Sequence, residues 1–486
     1  MAIFSLVVAL LILAGDITIR VLAVIYIPRN RRPQTALAWL LAIFFIPYVG
    51  IILFLLLGSH RLPKARRERQ ATINEYILET TDGIEDVKKD HSRWPPWLDP
   101  IVELNRSLGA MPLVGGNSAS LYPEYDVAIT AMTRAVDAAE KTVHVEFYIL
   151  VLDDTTRVFF DALRRARERG VLVRVLVDHL SSIMFPNRRE TFGALDEMAA
   201  EWHAMLPLRP LRGQWQRPDL RNHRKLVVVD GRVGFTGSQN LIDSTYLKKK
   251  NIARGLHWHE LMVRLEGPVV RELNAVFATD WYSESGVLLP LDTSPVVLGT
   301  DDALLDAQVL PSGPSFDNDN NLKLFGYLLQ SAQRRVSITS PYFVPDESTL
   351  MAIVTAAARG LDVELFVSAI GDQHLVYHAQ RSYYEALLRA GVKIYLYRAP
   401  TVLHSKHFTI DDDVAVIGSS NMDVRSFSLN MEVSVMVQGE SFVSAMRAIE
   451  DDYRASSDLL TLEEWMTRPL AGKVNDALAR LTSSLQ

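Results

Sequence analysis

Apolar and polar positions alternate in three regimes along the chain. The first regime is two near-continuous apolar runs, Ile3–Ile27 and Thr35–Leu57. Gly15, Asp16, Thr18 and Arg20 interrupt the first run, while the second contains no charge. About 20 helical residues cross the hydrocarbon of a bilayer, so both runs predict transmembrane helices. Asp16 and Arg20 lie four apart and would share a helix face, where they can pair. No basic stretch precedes the first run and a second run comes at once, which speaks against a cleavable signal peptide. The second regime, Gln70–Asn117, includes Trp94-Pro-Pro-Trp97 and reads as a linker packing onto the first half of the body. The third regime, the body, repeats itself. His144–Tyr148, Val158–Arg169 and Val171–Val177 read as strand, helix and strand, and so do Ser337–Tyr342, Glu347–Arg359 and Asp362–Val367. Repeated βαβ predicts an α/β fold with a mixed or mostly parallel sheet flanked by helices on both faces.

These patterns divide the chain into a membrane anchor (1–60), a basic stretch and linker (61–117), a first half (118–290), a Pro-rich inter-half connection (291–320) and a second half (321–486). Near the end, Thr461–Glu464 fits a capping box. Beyond Pro469, Leu470, Val474, Leu478, Leu481 and Leu485 form an apolar stripe at helical spacing, expected to dock on the body.

Composition sharpens this picture at two points. The 486 residues include no Cys, which excludes a thiol nucleophile, thiolate metal sites and disulfides. The net charge of −6 is unevenly spread. Residues 1–70 hold nine Lys/Arg against Asp16 and Glu68, and the rest of the chain is strongly acidic. A basic apolar N-terminus before an acidic body points to a membrane surface and away from nucleic acid. The link Pro28–Gln34 has three Arg and His60–Gln70 has five Lys/Arg, so the positive-inside rule puts the body on the cytoplasmic side.

The chemistry lies in a motif that occurs twice. His223-Arg-Lys225 is followed by Asp230, Gly237, Ser238 and Asn240; His404-Ser-Lys406 is followed by Asp411, Gly418, Ser419 and Asn421. The offsets from His are identical in the two copies. Six specified residues at fixed offsets arise by chance on the order of once in tens of millions of start positions. Lys225–Val229 and Lys406–Ile410 read as strands, Asp230-Gly231 and Asp411–Asp413 as turns, and Gly234–Thr236 and Val414–Ile417 as return strands. Each hairpin would deliver His and Lys on one face, with Ser and Asn nearby. Lysine charge and neutral donors suit a phosphoryl group, and His suits a nucleophile or proton shuttle near neutral pH. Asp230 and Asp411 belong to the motif, but their turn positions suggest structural work. Nothing in the spacing of His and carboxylates resembles a metal site, so neither metal nor other cofactor is expected.

Both copies match the HKD motif, and the chain resembles the phospholipase D superfamily. Gly234–Asp243, Met262–Val270 and Ser340–Asp346, together with the N-terminal apolar runs, look like its bacterial cardiolipin synthase branch. The resemblance implies two pseudo-symmetric halves whose motifs meet at one site. It implies catalysis by His223, Lys225, Asp230, His404, Lys406 and Asp411, with Ser238, Asn240, Ser419 and Asn421 holding substrate. It also implies that Glu260 and Glu432, downstream of the two motifs, each hydrogen-bond a catalytic His. The expected reaction is transfer of a phosphatidyl group between two phosphatidylglycerol molecules, giving cardiolipin and glycerol through a phosphohistidine, in a bacterial inner membrane. Hydrolysis of a phospholipid is the alternative, and a membrane-anchored nuclease a more distant one.

The two halves are unequal. Asn240 to Glu260 spans 20 positions, whereas Asn421 to Glu432 spans 11. The extra residues include Lys248-Lys-Lys250 and Arg254, read either as a solvated loop or as a clamp for lipid phosphates. With Arg221 and Arg224 they surround His223 in sequence with positive charge, which would favour neutral imidazole there and make His223 the nucleophile.

Overall fold

The computed structural model describes residues 2–29, 33–58, 64–80, 91–209, 214, 217–290, 297–299, 305–314, 316 and 319–481. Two compact units result, Met1–Leu62 and Pro63–Gln486. In the first unit, α1 (Ala2–Tyr26) is one continuous helix whose Phe4–Tyr26 stretch is long and apolar enough to cross a membrane. Arg20 Nε bonds Asp16 at 3.2 Å along its side. The second predicted span is not one helix. It breaks at Ile46 (φ −136°, ψ 72°) into α2 (Pro33–Phe45) and α3 (Pro47–Leu57). A proline pushes the residue before it out of the helical region, and Pro47 instead opens the next helix. Helices of 13 and 11 residues each fall short of the hydrocarbon thickness. Of the two predicted transmembrane helices, the described residues therefore contain one of spanning length. Arg31, Arg32 and residues 59–63, part of the charge argument for orientation, lie outside the described residues.

The second unit is organised by one sheet. Strands β1 (Val114–Tyr122), β2 (Thr142–Phe147), β3 (Leu172–Asp178), β4 (Glu201–Met205), β5 (Lys225–Val229), β6 (Val233–Gly237), β7 (His257–His259) and β8 (Met262–Glu266) precede a long helix, Val269–Ser285. They are followed by β9 (Leu305–Ser312), β10 (Arg335–Thr339), β11 (Phe343–Val344), β12 (Asp362–Ser368) and β13 (Lys393–Tyr397). The last six are β14 (Thr401–Leu403), β15 (His407–Ile410), β16 (Val414–Gly418), β17 (Met422–Asp423), β18 (Glu432–Gln438) and β19 (Ser457–Leu460). Fifteen of these strands form one sheet that is read outward from the antiparallel pair β1–β9. One arm runs β1-β8-β6-β5-β2-β3-β4, and the other runs β9-β18-β16-β15-β10-β12-β13 with β19 at its edge. The arms repeat each other strand for strand. Parallel pairing is confined to β2–β3–β4 and β10–β12–β13, where helices make the crossovers, so the sheet is mixed.

Three apolar clusters cover it. Arg157–Glu168 buries Phe159, Phe160 and Leu163 on the first arm, and Asn320–Ser331 buries Leu324, Phe325 and Leu328 on the second. Val269–Ser285 and Glu440–Ala455 share the third cluster with the inner strands of both arms. The segment read as a linker onto the first half divides instead. Ile73 and Ile77 of helix Lys64–Thr80 join this third cluster, whereas Leu98, Ile101 and Leu108 join the core of the second arm. Part of the Pro-rich connection is β9, buried along its whole length at the middle of the sheet. At the C-terminus, helix Leu470–Arg480 docks through Asp476, which bonds His378 Nδ1 at 2.7 Å. Its predicted stripe Leu470, Val474, Leu478 and Leu481 is exposed, Leu485 lies outside the described residues, and the helix meets the body through Asp476 and Ala479 instead.

Candidate active site

Each hairpin is fixed from below by its aspartate. Asp230 (φ 52°) and Asp411 (φ 50°) occupy the left-handed region at the turns, where Asp is among the better-tolerated side chains. The Asp230 carboxylate accepts from the backbone N–H of Glu140, Lys141 and Thr142 at 2.7–2.8 Å. Asp411 does the same for Gln333, Arg334 and Arg335 at 2.7–2.9 Å. Both aspartates thus pin the start of the neighbouring strand, β2 or β10, at the turn end of the hairpin and away from its His. At the other end, a Cβ on Gly237 or Gly418 would meet the carbonyl oxygen of Leu261 or Val433 at 2.3 or 2.2 Å. Glycine is required there for the chain to pass so close, and Ser238 and Ser419 come directly after.

The histidines are paired across the halves. Short backbone contacts between the arms arrange this: β14 pairs parallel with β7, and Asn222 bridges Met431 in parallel. His404 N–H donates to His259 O at 2.7 Å, and His223 N–H donates to Met431 O at 2.8 Å. Each His is thereby set beside the glutamate of the opposite half. His404 Nδ1 lies 2.8 and 2.9 Å from the two Glu260 oxygens. His223 Nδ1 lies 3.1 Å from Glu432 and 3.1 Å from Ser419 O. Both neighbours of His223 Nδ1 accept, so that nitrogen carries the proton and Nε2 keeps its lone pair. Ser419 Oγ donates to Glu432 at 2.5 Å, and Ser238 Oγ accepts from Leu261 N–H at 2.9 Å.

Burial sets the charge states. Lys225 and Lys406 are almost fully enclosed, each reaching back to the carbonyl of its own His at 2.5 and 2.7 Å. Desolvation pulls Lys225 down to about 7 and Lys406 to about 8, although Glu260 and Glu432 pull the other way. Burial likewise lowers His223 to about 4 against the opposing pull of Glu432, and lowers His404 against that of Glu260. Burial alone would raise the two glutamates, but the His and Lys beside them win and hold both below the ordinary carboxylate range. The site has neutral imidazoles, ionised carboxylates, and lysines poised near neutrality. A phosphodiester anion placed there would draw protons onto the lysines.

Asn240 and Asn421 differ. Asn240 Oδ1 accepts from Ile149 N–H at 3.2 Å, and its Nδ2 donates to Tyr246 Oη at 2.9 Å. Asn421 Nδ2 donates to Ser426 Oγ at 3.3 Å. Three tyrosines line the site that the motif could not announce. Tyr148 stands edge-on to His223 at 5.1 Å and beneath Lys225 Nζ at 5.6 Å, and Tyr342 stands edge-on to His404 at 5.9 Å. Tyr246 Oη lies 3.1 Å from Glu260. Tyr148 and Tyr342 end the strand patterns before each motif, which is the signal that could have found them. Tyr246 sits in the unequal stretch, where no repeat marks it.

The cations that the sequence places around His223 do not act on it directly, and Lys249, Lys250 and Arg254 are exposed. Arg221 pairs with buried Asp178, and Arg224 pairs with buried Asp280 while bonding Glu432 O. Lys248 Nζ lies over the Phe185 ring. The low affinity of His223 for a proton comes from burial first and from Lys225 and Lys406 among the cations.

Comparison with known proteins identifies the family. The family described as "Cardiolipin synthase, PLD-like domain" matches residues 132–281 and 327–452. The family described as "Phospholipase_D-nuclease N-terminal" matches residues 19–59. Cardiolipin synthase A of Proteus mirabilis is 32% identical over 98% of this chain and 96% of its own length. Cardiolipin synthase A of Pectobacterium carotovorum is 31% identical over the same shares. Among solved structures, phosphatidylserine synthase of Haemophilus influenzae superposes with a TM-score of 0.60 at 14% identity, covering 79% of this chain and 99% of that one. With β2–β8 matched by one family segment and β10–β18 by the other, and relatives similar over nearly their whole length, the chain belongs to the cardiolipin synthase family of phospholipase D-like proteins.

Proposed function

We propose that the protein is a phosphatidyltransferase that joins two phosphatidylglycerol molecules into cardiolipin and releases glycerol. It would be held in the bacterial cytoplasmic membrane by its N-terminal unit, with the body on the cytoplasmic side, where Lys64, Arg66, Arg67 and Arg69 favour that orientation. The observation that carries the proposal is the crossed pairing of His223 with Glu432 and His404 with Glu260. It supports two imidazoles with fixed tautomers serving one phosphoryl group. The negative charge of the bound phosphodiester, with Glu260 holding Nδ1–H, puts a proton on His404 Nε2. His223 Nε2 then attacks phosphorus and the bond to the headgroup glycerol breaks, while His404 gives that proton to the leaving oxygen and becomes neutral. His404 then takes the proton of the second lipid's hydroxyl, whose oxygen attacks the phosphohistidine and frees His223. The closer contact of His404 with its carboxylate suits it to hold the transferred proton. Lys225 and Lys406, in charged form, counter the phosphoryl oxygens, and Ser238, Asn240, Ser419 and Asn421 shape the ends of the site around them. Exchange of one phosphodiester for another is close to isoenergetic, so the reaction calls for no nucleotide.

The test is a product assay with labelled phosphatidylglycerol in mixed micelles. Cardiolipin and glycerol in equal amounts are expected. Phosphatidic acid in their place would mean that water, and not a lipid alcohol, resolves the intermediate. No phospholipid product at all would refute the proposal.

A further inference from the structure

Two segments beside the site carry apolar tips among cations. Ile183 and Met184 end the short helix His179–Met184 and are 52% and 70% exposed. Ile252, in the short helix Lys249–Ala253, is 55% exposed. Lys248–Lys250, Arg254, Arg188 and Arg189 are exposed in the same two stretches, and no acidic residue occurs between Asp243 and Glu260. This stands out in a body that is acidic overall. The segments touch: Lys248 Nζ lies 5.6 Å from the Phe185 ring centre, and that ring lies 6.1 Å from Tyr246. Lys248 is the residue before helix Lys249–Ala253, which carries Ile252, so the apolar tips stand on segments in contact and together form one lip.

The lip is joined to the chemistry. Tyr246 and Leu247 are successive left-handed residues (φ 57° and 52°), a costly backbone that its surroundings must hold. Asn251 Nδ2 holds Thr245 O at 2.9 Å, and Tyr246 Oη reaches Asn240 and Glu260. Exposed side chains of this size do not favour water, and a ring of cations does not favour an apolar protein partner. Apolar tips within a basic ring match the boundary between headgroups and acyl chains of an anionic bilayer.

We propose that this lip docks on the surface of an anionic bilayer, with Ile183, Met184 and Ile252 entering the headgroup region and the cations against lipid phosphates, so that the site faces its lipid. The proposal rests on the phospholipid reading of the site. Because the chain has no Cys, single variants Met184→Cys, Ile252→Cys and, at an exposed position of helix Arg157–Glu168 outside the lip, Val158→Cys can each carry one environment-sensitive fluorophore. The full chain is reconstituted into vesicles of phosphatidylglycerol or of phosphatidylcholine, some doped with a nitroxide-bearing lipid. On phosphatidylglycerol, the probes at 184 and 252 should shift to the blue and be quenched by the nitroxide lipid, while the probe at 158 should do neither. The quenching should be on the order of tenfold weaker on phosphatidylcholine and should fade as salt is raised. Lys249→Glu/Lys250→Glu/Arg254→Glu should abolish it, and the salt titration of the parent stands in if that variant fails to fold. Probes at 184 and 252 that behave like the one at 158, or equal signals on both lipids, would overturn the proposal. So would a shift reproduced in detergent by single-stranded DNA, which would make the lip a nucleic-acid surface. The readout needs no turnover, so failure of the transferase reading would appear separately, in the product assay.

Discussion

The two halves share everything that the motif specifies and differ in what surrounds it. Asp230 and Asp411 anchor their hairpins through the same three backbone contacts, and Gly237 and Gly418 allow the same close passage. Each half then gives its glutamate to the other half's histidine. The carboxylates are not held alike. Both take the motif serine of their own half, Ser238 or Ser419, but Glu260 also receives Tyr246 Oη, from a stretch the second half lacks, whereas Glu432 receives Asn430 Nδ2. A duplicated scaffold supplies two equivalent imidazoles, and the unequal connection makes one of them different. The proposed double displacement needs that difference, because a nucleophile and a proton shuttle do opposite things with their Nε2.

The strongest way to break the comparison is to remove one member. His223→Ala and His404→Ala should each lower turnover by roughly 10²–10⁴-fold or more, as loss of a nucleophile or of acid–base help does. Steady-state assays check this, and either variant retaining half the parent rate would show that one half suffices. Next comes the anchor. Asp230→Ala and Asp411→Ala each leave three backbone N–H groups without an acceptor and put Ala in the left-handed region. Each should cost about 2–4 kcal/mol of stability, measured by denaturant unfolding of the detergent-solubilised chain. Similar losses at the two positions are expected, because this part of the halves is alike.

The asymmetric part should show a smaller and one-sided effect. Tyr246→Phe removes the hydrogen bond to buried Glu260 and leaves Asn240 Nδ2 without its acceptor, and should lower kcat about tenfold at a cost of about 1–3 kcal/mol of stability. Asn430→Ala, touching Glu432 at 3.3 Å, should do less. A gentler probe is pH. Below about 4 His223 gains a proton on its attacking nitrogen, and above about 7 to 8 Lys225 and then Lys406 lose theirs. Since neutral His223 and charged lysines are both needed, kcat/KM should be bell-shaped, rising as pH passes 4 and falling as it passes 7 to 8.

The parts legible in the sequence obey local rules. Period-2 runs ending in Asp turns gave the two hairpins: Lys225–Val229 is β5 as read, and Val414–Ile417 falls within β16. The repeated strand–helix–strand patterns gave helices Arg157–Glu168 and Glu347–Ala358 to within a residue at either end. The parts that escaped depend on distant partners or on backbone restrictions. The long apolar run Thr35–Leu57 looked continuous because hydropathy does not register the limit that Pro47 imposes on Ile46. In β9, Pro311 and the prolines flanking the strand hid a run whose every residue is buried. An apolar stripe shows that helix Leu470–Arg480 has two faces but not which one meets the body, and buried Asp476 with His378 decided that. Both glutamates were found by position, yet their exchange between halves is a property of β7, β14 and the Asn222–Met431 bridge, which pair residues more than 140 positions apart.

The division of labour between the histidines can be read on the enzyme itself. The chain is mixed with phosphatidylglycerol labelled at phosphorus, quenched in alkali during turnover to preserve phosphohistidine, digested, and mapped by mass spectrometry. The account predicts label on the peptide containing His223 and none on the peptide containing His404. Label on His404 alone would reverse the roles given to the two halves, and a rapidly turning-over enzyme with label on neither would contradict the double displacement.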